Sequence, residues 1–98
     1  MQLSEKQRRH LKGLAHSLKP IILMGNSGLT DAVVAETSRA LADHELIKVR
    51  LPGKDREERD AALKSLAERT DSAFVTRIGH IAVLFRQREK VSGFVLPG

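Results

Sequence analysis

Apolar positions along the chain switch between two periods, and the switches mark its elements. Leu3, then Ser4 with Gln7 three residues on, forms an S-x-x-Q capping box that opens a helix expected to run to about residue 18. On a 100° wheel Gln7, Leu11, Leu14 and Leu18 fall near one line as the buried stripe, with Arg8, Arg9, Lys12, His16 and Lys19 on one flank. Pro20 ends the helix, and Ile21, Ile22, Leu23 and Met24 form an unbroken apolar run, as in a strand covered on both faces. Residues 25–28 are a glycine loop. Thr30 then caps a second helix, with Asp31 at its positive end and Val33, Val34, Thr37, Ala40 and Leu41 as its stripe. Over residues 45–51, Leu46, Lys48 and Arg50 alternate with Ile47, Val49 and Leu51, the period of a half-buried strand. Pro52 and Gly53 turn the chain. Asp55 with Glu58 reads as a capping box before a third helix, which carries Ala62, Leu63, Leu66 and Ala67 and ends near Thr70. Residues 73–78 and 81–86 are strand-like and separated by Gly79 and His80, the spacing of a tight antiparallel hairpin. The last dozen residues mix Arg88, Lys90 and Gly93 with Val91, Phe94, Val95 and Leu96, and suit either a docked or a mobile tail.

The resulting order, α-β-α-β-α-β-β, implies an α/β fold: a mixed four-stranded sheet with packed helices and right-handed crossovers. At 98 residues the chain has room for one core, so residues 1–98 are expected to form a single domain. Hydrophobic residues make up 41% and charged residues 30%, with a mean hydropathy of −0.26, values that suit a globular chain. The longest apolar run is far shorter than the ~20 residues that a bilayer requires, and the first residues do not resemble a signal peptide, so a cytosolic location is expected. Cysteine is absent, which removes disulfides and thiolate chemistry.

The net charge of +5 matters mainly through its distribution. Residues 1–19 hold five basic side chains and one acid, and residues 73–98 hold four and one, while the segments between are slightly acidic. A polyanionic partner is indicated. Three phenylalanines are the whole aromatic complement, too few for a sheet that stacks bases on rings, so any nucleic-acid contact must use backbone and charge.

Gly25 and Gly28 bracket Asn26 and Ser27 where a strand hands over to a helix, a place where a phosphodiester can approach backbone N–H groups. A G-x-x-G loop clamps the nucleic-acid backbone in KH domains in this way, although the same spacing also serves a simple turn. The loop lacks the spacing of an ATP or dinucleotide site. No histidine pair has the i,i+4 spacing of a helical zinc site, no serine sits in a nucleophile elbow, and neither metal, cofactor nor catalysis is expected. Lys48 and Arg50 share one face of their strand, where they suit either a phosphate track or the protection of an edge strand.

The stretches LKGLAHSLKPIILMGNSGLT (residues 11–30) and ALADHELIKV (residues 40–49) resemble the CRM domain, the chloroplast RNA splicing and ribosome maturation module, in its stand-alone bacterial form, the YhbY family. The resemblance rests on Ala15, His16, Leu18, Lys19 and Pro20, on Gly25, Gly28, Leu29 and Thr30, and on His44, Glu45, Leu46, Lys48 and Val49. It implies a fold similar to the C-terminal domain of translation initiation factor three, and an RNA-binding, non-catalytic role with precursors of the large ribosomal subunit. Many loops of this family carry a basic residue between the glycines. With Asn26 and Ser27 there instead, the load shifts to the first helix. The expected RNA-binding residues are therefore Arg8, Arg9, Lys12, Lys19, Gly25, Asn26, Ser27, Gly28, Lys48 and Arg50. A second reading is a protein-interaction adaptor that docks on a ribosomal protein or assembly factor through an apolar tail around Phe94; DNA binding lacks a helix-turn-helix spacing.

Overall fold

The structure, a computed structural model, describes residues 2–53, 55–89 and 91–98. Met1, Lys54 and Lys90, the last of them part of the expected basic tail, lie outside the described residues. The elements follow the order α1 (Glu5–Ala15), β1 (Pro20–Leu23), α2 (Asp31–His44), β2 (Leu46–Arg50), α3 (Arg56–Arg69), β3 (Ala73–Ile78) and β4 (Ile81–Phe85). They build the expected α/β fold, with one mixed four-stranded sheet in the order β1-β2-β4-β3. β1 runs parallel to β2, and β4 pairs antiparallel with both β2 and β3. The last strand made thus lies between two made earlier.

Local signals hold each helix start. The Ser4 hydroxyl accepts from Gln7 N–H at 3.1 Å and the Gln7 amide oxygen accepts from Ser4 N–H at 3.0 Å, so both halves of the α1 capping box are formed. Thr30 and Asp55 cap α2 and α3 by accepting from Val33 N–H at 3.1 Å and Glu58 N–H at 2.8 Å. Gly79 takes φ +60° in the β3–β4 turn, where a side chain would be strained.

The sheet separates two cores. Ile22, Ile47, Val49, Leu51, Ala82 and Leu84 meet Leu41 of α2 and Leu63 and Leu66 of α3 on one face. On the opposite face Leu46, Val75, Val83 and Phe85 meet Leu11 and Ala15 of α1, with Leu3, Phe94 and Leu96 packed alongside. Two crossovers advancing in the same direction across a sheet put their helices on the same side, which leaves the other face to α1.

Three expectations need correction. The first helix stops at Ala15, not near Leu18, and passes into tighter turns in which Leu18 N–H reaches the Ala15 carbonyl at 3.0 Å. Its buried stripe is Leu11 and Ala15, whereas Leu14 and Leu18 are 45% and 38% exposed. The helix is rotated toward its basic flank, because the short Ala15 lets it approach the sheet. Second, β1 is covered on one face alone: Ile22 is buried, but Ile21 and Leu23 are 46% and 68% exposed, since α1 lies over β2 and β3. Third, β2 is an interior strand rather than an edge, and its first residues are buried on both faces.

Candidate nucleic-acid interface

Residues 25–28 extend β1 past the end of the sheet where Leu23 pairs with Arg50 and Met24 N–H donates to the Arg50 carbonyl at 2.9 Å. Gly28 N–H closes the loop onto the Gly25 carbonyl at 2.9 Å. Gly28 has φ +73°, a conformation that disfavours other residues, whereas Gly25 has ordinary geometry. No atom lies within 4 Å of where a Cβ would stand at either glycine, so the loop backbone is open to a ligand. Asn26 and Ser27 are exposed and supply neutral polar groups. A shallow recess joins Asn26 and Gly28 to Gly53 and the Glu58 carboxylate at the start of α3. Glu58 disfavours phosphate on that side, and Arg50 favours it on the other.

The expected cations do not form one stripe. Arg8 is turned inward, its guanidinium 5.9 Å from the Phe74 ring centre and 3.5 Å from the Glu5 carboxylate, so it joins α1 to the edge of the sheet. Lys19 lies beyond the helix in the turn before β1. Arg9 and Lys12 are exposed on α1. Among the described residues Arg9, Lys12, Lys19, Lys48 and Arg50 have no carboxylate partner.

Lys48 and Arg50 alternate with Ile47, Val49 and Leu51 as expected, and they point to the α1 side of the sheet. Lys48 is half-buried, and its Nζ donates to the His16 carbonyl at 3.3 Å, satisfying an orphan carbonyl at the end of α1. Lys12, His16 and Lys48 line a recess of about 220 Å³ together with Thr76 and Ile78. His16 is a member of this cluster that sequence reasoning did not select. Its spacing from Lys12, one helical turn, was the available signal. Because β2 is interior, protecting an edge does not explain Lys48 and Arg50.

Glu45 was also missed as a structural residue. It is 1% exposed and takes φ +65° at the end of α2, a strained backbone for a residue with a side chain. Its carboxylate accepts from Arg88 N–H at 3.0 Å, Ser92 Oγ at 2.5 Å and Gly93 N–H at 2.6 Å. Burial opposes ionisation, but these hydrogen bonds and the nearby Arg88 guanidinium outweigh it and hold Glu45 below its ordinary pKa. The tail is further tied by Gln7, whose amide donates to the Pro97 carbonyl at 3.1 Å. The Phe94 ring stands edge-on to Phe85 at 5.5 Å. Phe94 therefore packs in part against the chain's own core, while Val91 and Val95 of the same tail stay exposed.

Comparison with known proteins places this geometry. The CRS1/YhbY (CRM) domain matches residues 3–86. The chain belongs to that family. Among CRM-domain relatives, an RNA-binding protein of Haemophilus influenzae is 48% identical over 88 residues, covering 90% of this chain and 89% of its own. A Pseudomonas aeruginosa relative, named as a probable RNA-binding protein, is 41% identical over 90 residues, covering 92% and 86%. The solution structure of a Staphylococcus aureus protein superposes with a TM-score of 0.86 at 30% identity, covering 97% of this chain and 99% of that one. The CRM family is one of RNA-binding, non-catalytic domains, and among the described residues no group of His, Asp and Glu could hold a metal ion. No helix among them is long and apolar enough to cross a membrane.

Proposed function

We propose that this chain is a cytosolic RNA-binding protein that recognises structured ribosomal precursor RNA during assembly of the large subunit. The contact surface in this reading is the α1 side of the sheet, running from Lys19 past Lys48 to Arg50. Phosphates meet Arg9, Lys12, Lys19, Lys48 and Arg50, and the open backbone of residues 25–28 receives one further phosphodiester. Arg8 contributes mainly by fixing α1. The observation that carries RNA as the partner is the excess of cations on the α1 side of the sheet, where α1 holds four basic side chains against one carboxylate and Lys19, Lys48 and Arg50 add to them. The ribosomal precursor as the particular RNA follows from the family resemblance. Crosslinking the protein to RNA in growing cells and sequencing the adducts tests this. Enrichment of large-subunit precursor sequences over mature ribosomal RNA is the expected result, and adducts spread evenly over messenger and transfer RNA would refute it.

A further inference from the structure

The two leucines that α1 leaves unburied do not stand alone. Leu14, Leu18 and Ile21, all exposed by more than a third, line one groove of about 460 Å³ with Lys19, Lys48 and Phe94. That volume is in the range of pockets that enclose a small molecule, roughly 300–1,000 Å³. Clustered aliphatic side chains left in water on a small domain call for a partner. Among the described residues the charged and titratable groups facing the groove are Lys19, Lys48 and His44, and no carboxylate lines it. An occupant must therefore combine an apolar body with a neighbouring negative charge.

We infer that this groove receives an unpaired base of the bound RNA, its ring between the aliphatic side chains and its own phosphate on Lys19 or Lys48. The inference rests on the proposed RNA-binding function and adds which part of the RNA is read. Lys48 points to both the groove and the Lys12–His16 recess. A backbone that crosses Lys48 brings a base to the groove with no further tether, whereas a protein segment would have to displace that backbone to enter. Single-stranded bases stack on aromatic side chains without regard to sequence because every base has a π-face, and aliphatic side chains beside such a ring extend its apolar contact. Among the described residues Phe94 supplies the groove's aromatic ring, and the chain beside it is held by the hydrogen bonds that Ser92 Oγ and Gly93 N–H donate to the Glu45 carboxylate.

The test uses the full chain with methyl-labelled leucine and isoleucine, titrated with a short oligouridylate and with an abasic strand of the same length. The expected result is that oligouridylate moves the Leu14, Leu18 and Ile21 methyl signals and the abasic strand does not. Leu14→Gln and Ile21→Thr, both at exposed positions, should each weaken oligouridylate binding about tenfold, the effect of removing one base contact. They should leave its salt dependence and the affinity for the abasic strand unchanged. Equal methyl shifts with both strands, or still methyls while the amides of Lys12 and Lys48 move, would overturn the base site but leave RNA binding intact. The groove would then suit an acidic apolar protein segment. If neither strand binds even at low salt, the base site is overturned, while the proposed function stands or falls on the crosslinking of precursor RNA in cells.

Discussion

The two faces of the sheet follow different charge rules. On one side α2 and α3 carry seven carboxylates and five basic side chains, and several of these pair, as Asp31 does with Arg69 at 2.7 Å. On the other side α1 carries four basic side chains and one carboxylate, and that carboxylate is engaged by Arg8. On the α2–α3 side the excess of carboxylates repels an anion from outside, although Arg39 and Lys64 have no carboxylate partner among the described residues, whereas the excess of cations on the α1 side attracts one. The hydrophobic rules differ too. The α2–α3 side buries its stripe, while the α1 side leaves Leu14, Leu18, Ile21 and Leu23 in water. Packing dominates one face, and access dominates the other.

The strongest way to break this comparison is to ask whether both faces hold the fold. Leu41→Ala on one side and Leu11→Ala on the other should each cost about 2–5 kcal/mol, because both side chains are fully buried. Chemical denaturation that showed no loss for Leu11→Ala would mean that α1 is an appendage to a domain folded without it. Charge reversal separates the faces functionally. Arg9→Glu with Lys12→Glu should reduce RNA affinity on the order of a hundredfold and flatten the log–log salt slope by about 2, whereas Arg56→Glu with Lys64→Glu on α3 should change little. Equal losses from the two pairs would leave only net charge at work.

Glu45 joins the faces, and its effect should be smaller and pH-dependent. Glu45→Gln should cost about 1–3 kcal/mol at neutral pH, because a Gln amide cannot accept from all the donors now aimed at the carboxylate. Since folding lowers this pKa, the stabilisation is complete above the unfolded-state value of about 4.3 and disappears as pH falls through the folded value. The gap between wild type and variant in urea midpoint should therefore be constant above about pH 5.5 and narrow in acid. The loop glycines allow a further distinction. Gly28→Ala should lose about 1 kcal/mol of stability from its positive φ, while Gly25→Asp should leave the melt unchanged and weaken RNA binding several-fold. Normal binding by Gly25→Asp would reduce the loop to a turn. The smallest effect is expected at Arg50→Gln: a few-fold weaker binding, a salt slope flatter by about 1, and no aggregation on concentration, because β2 has neighbours on both sides.

Much of this was legible in the sequence. Period and caps located all seven elements, and the residue 73–78 strand and the Gly79–His80 turn match what alternation and glycine placement indicate. What a one-dimensional pattern lacks is the third dimension of contact. Leu14 and Leu18 fit a helical stripe with Leu11, yet nothing local tells that the sheet meets the helix at Leu11 and Ala15 and that the chain turns before Leu18. The alternation around Lys48 is the same for an edge strand and an interior one; strand order decides between them. Glu45 looks like an ordinary surface acid because its partners lie more than forty residues away. In the candidate site, the glycine loop and the exposed cations were readable as types. The inward turn of Arg8 and the convergence of Lys12, His16 and Lys48 were not, since both depend on how α1 is rotated on the sheet.

The strand order also sets a timetable. As the chain leaves the ribosome from its amino end, β1, α2 and β2 can associate as a parallel unit, but β3 has no neighbour to pair with until β4 exists. The β3–β4 hairpin closes through a two-residue turn, a fast local step, and must then dock as a unit beside β2. Until it does, the β2 edge and the apolar side chains on both sides of it stay open to water and to other nascent chains. The slow long-range pairing is thus left to the last strand of the sheet.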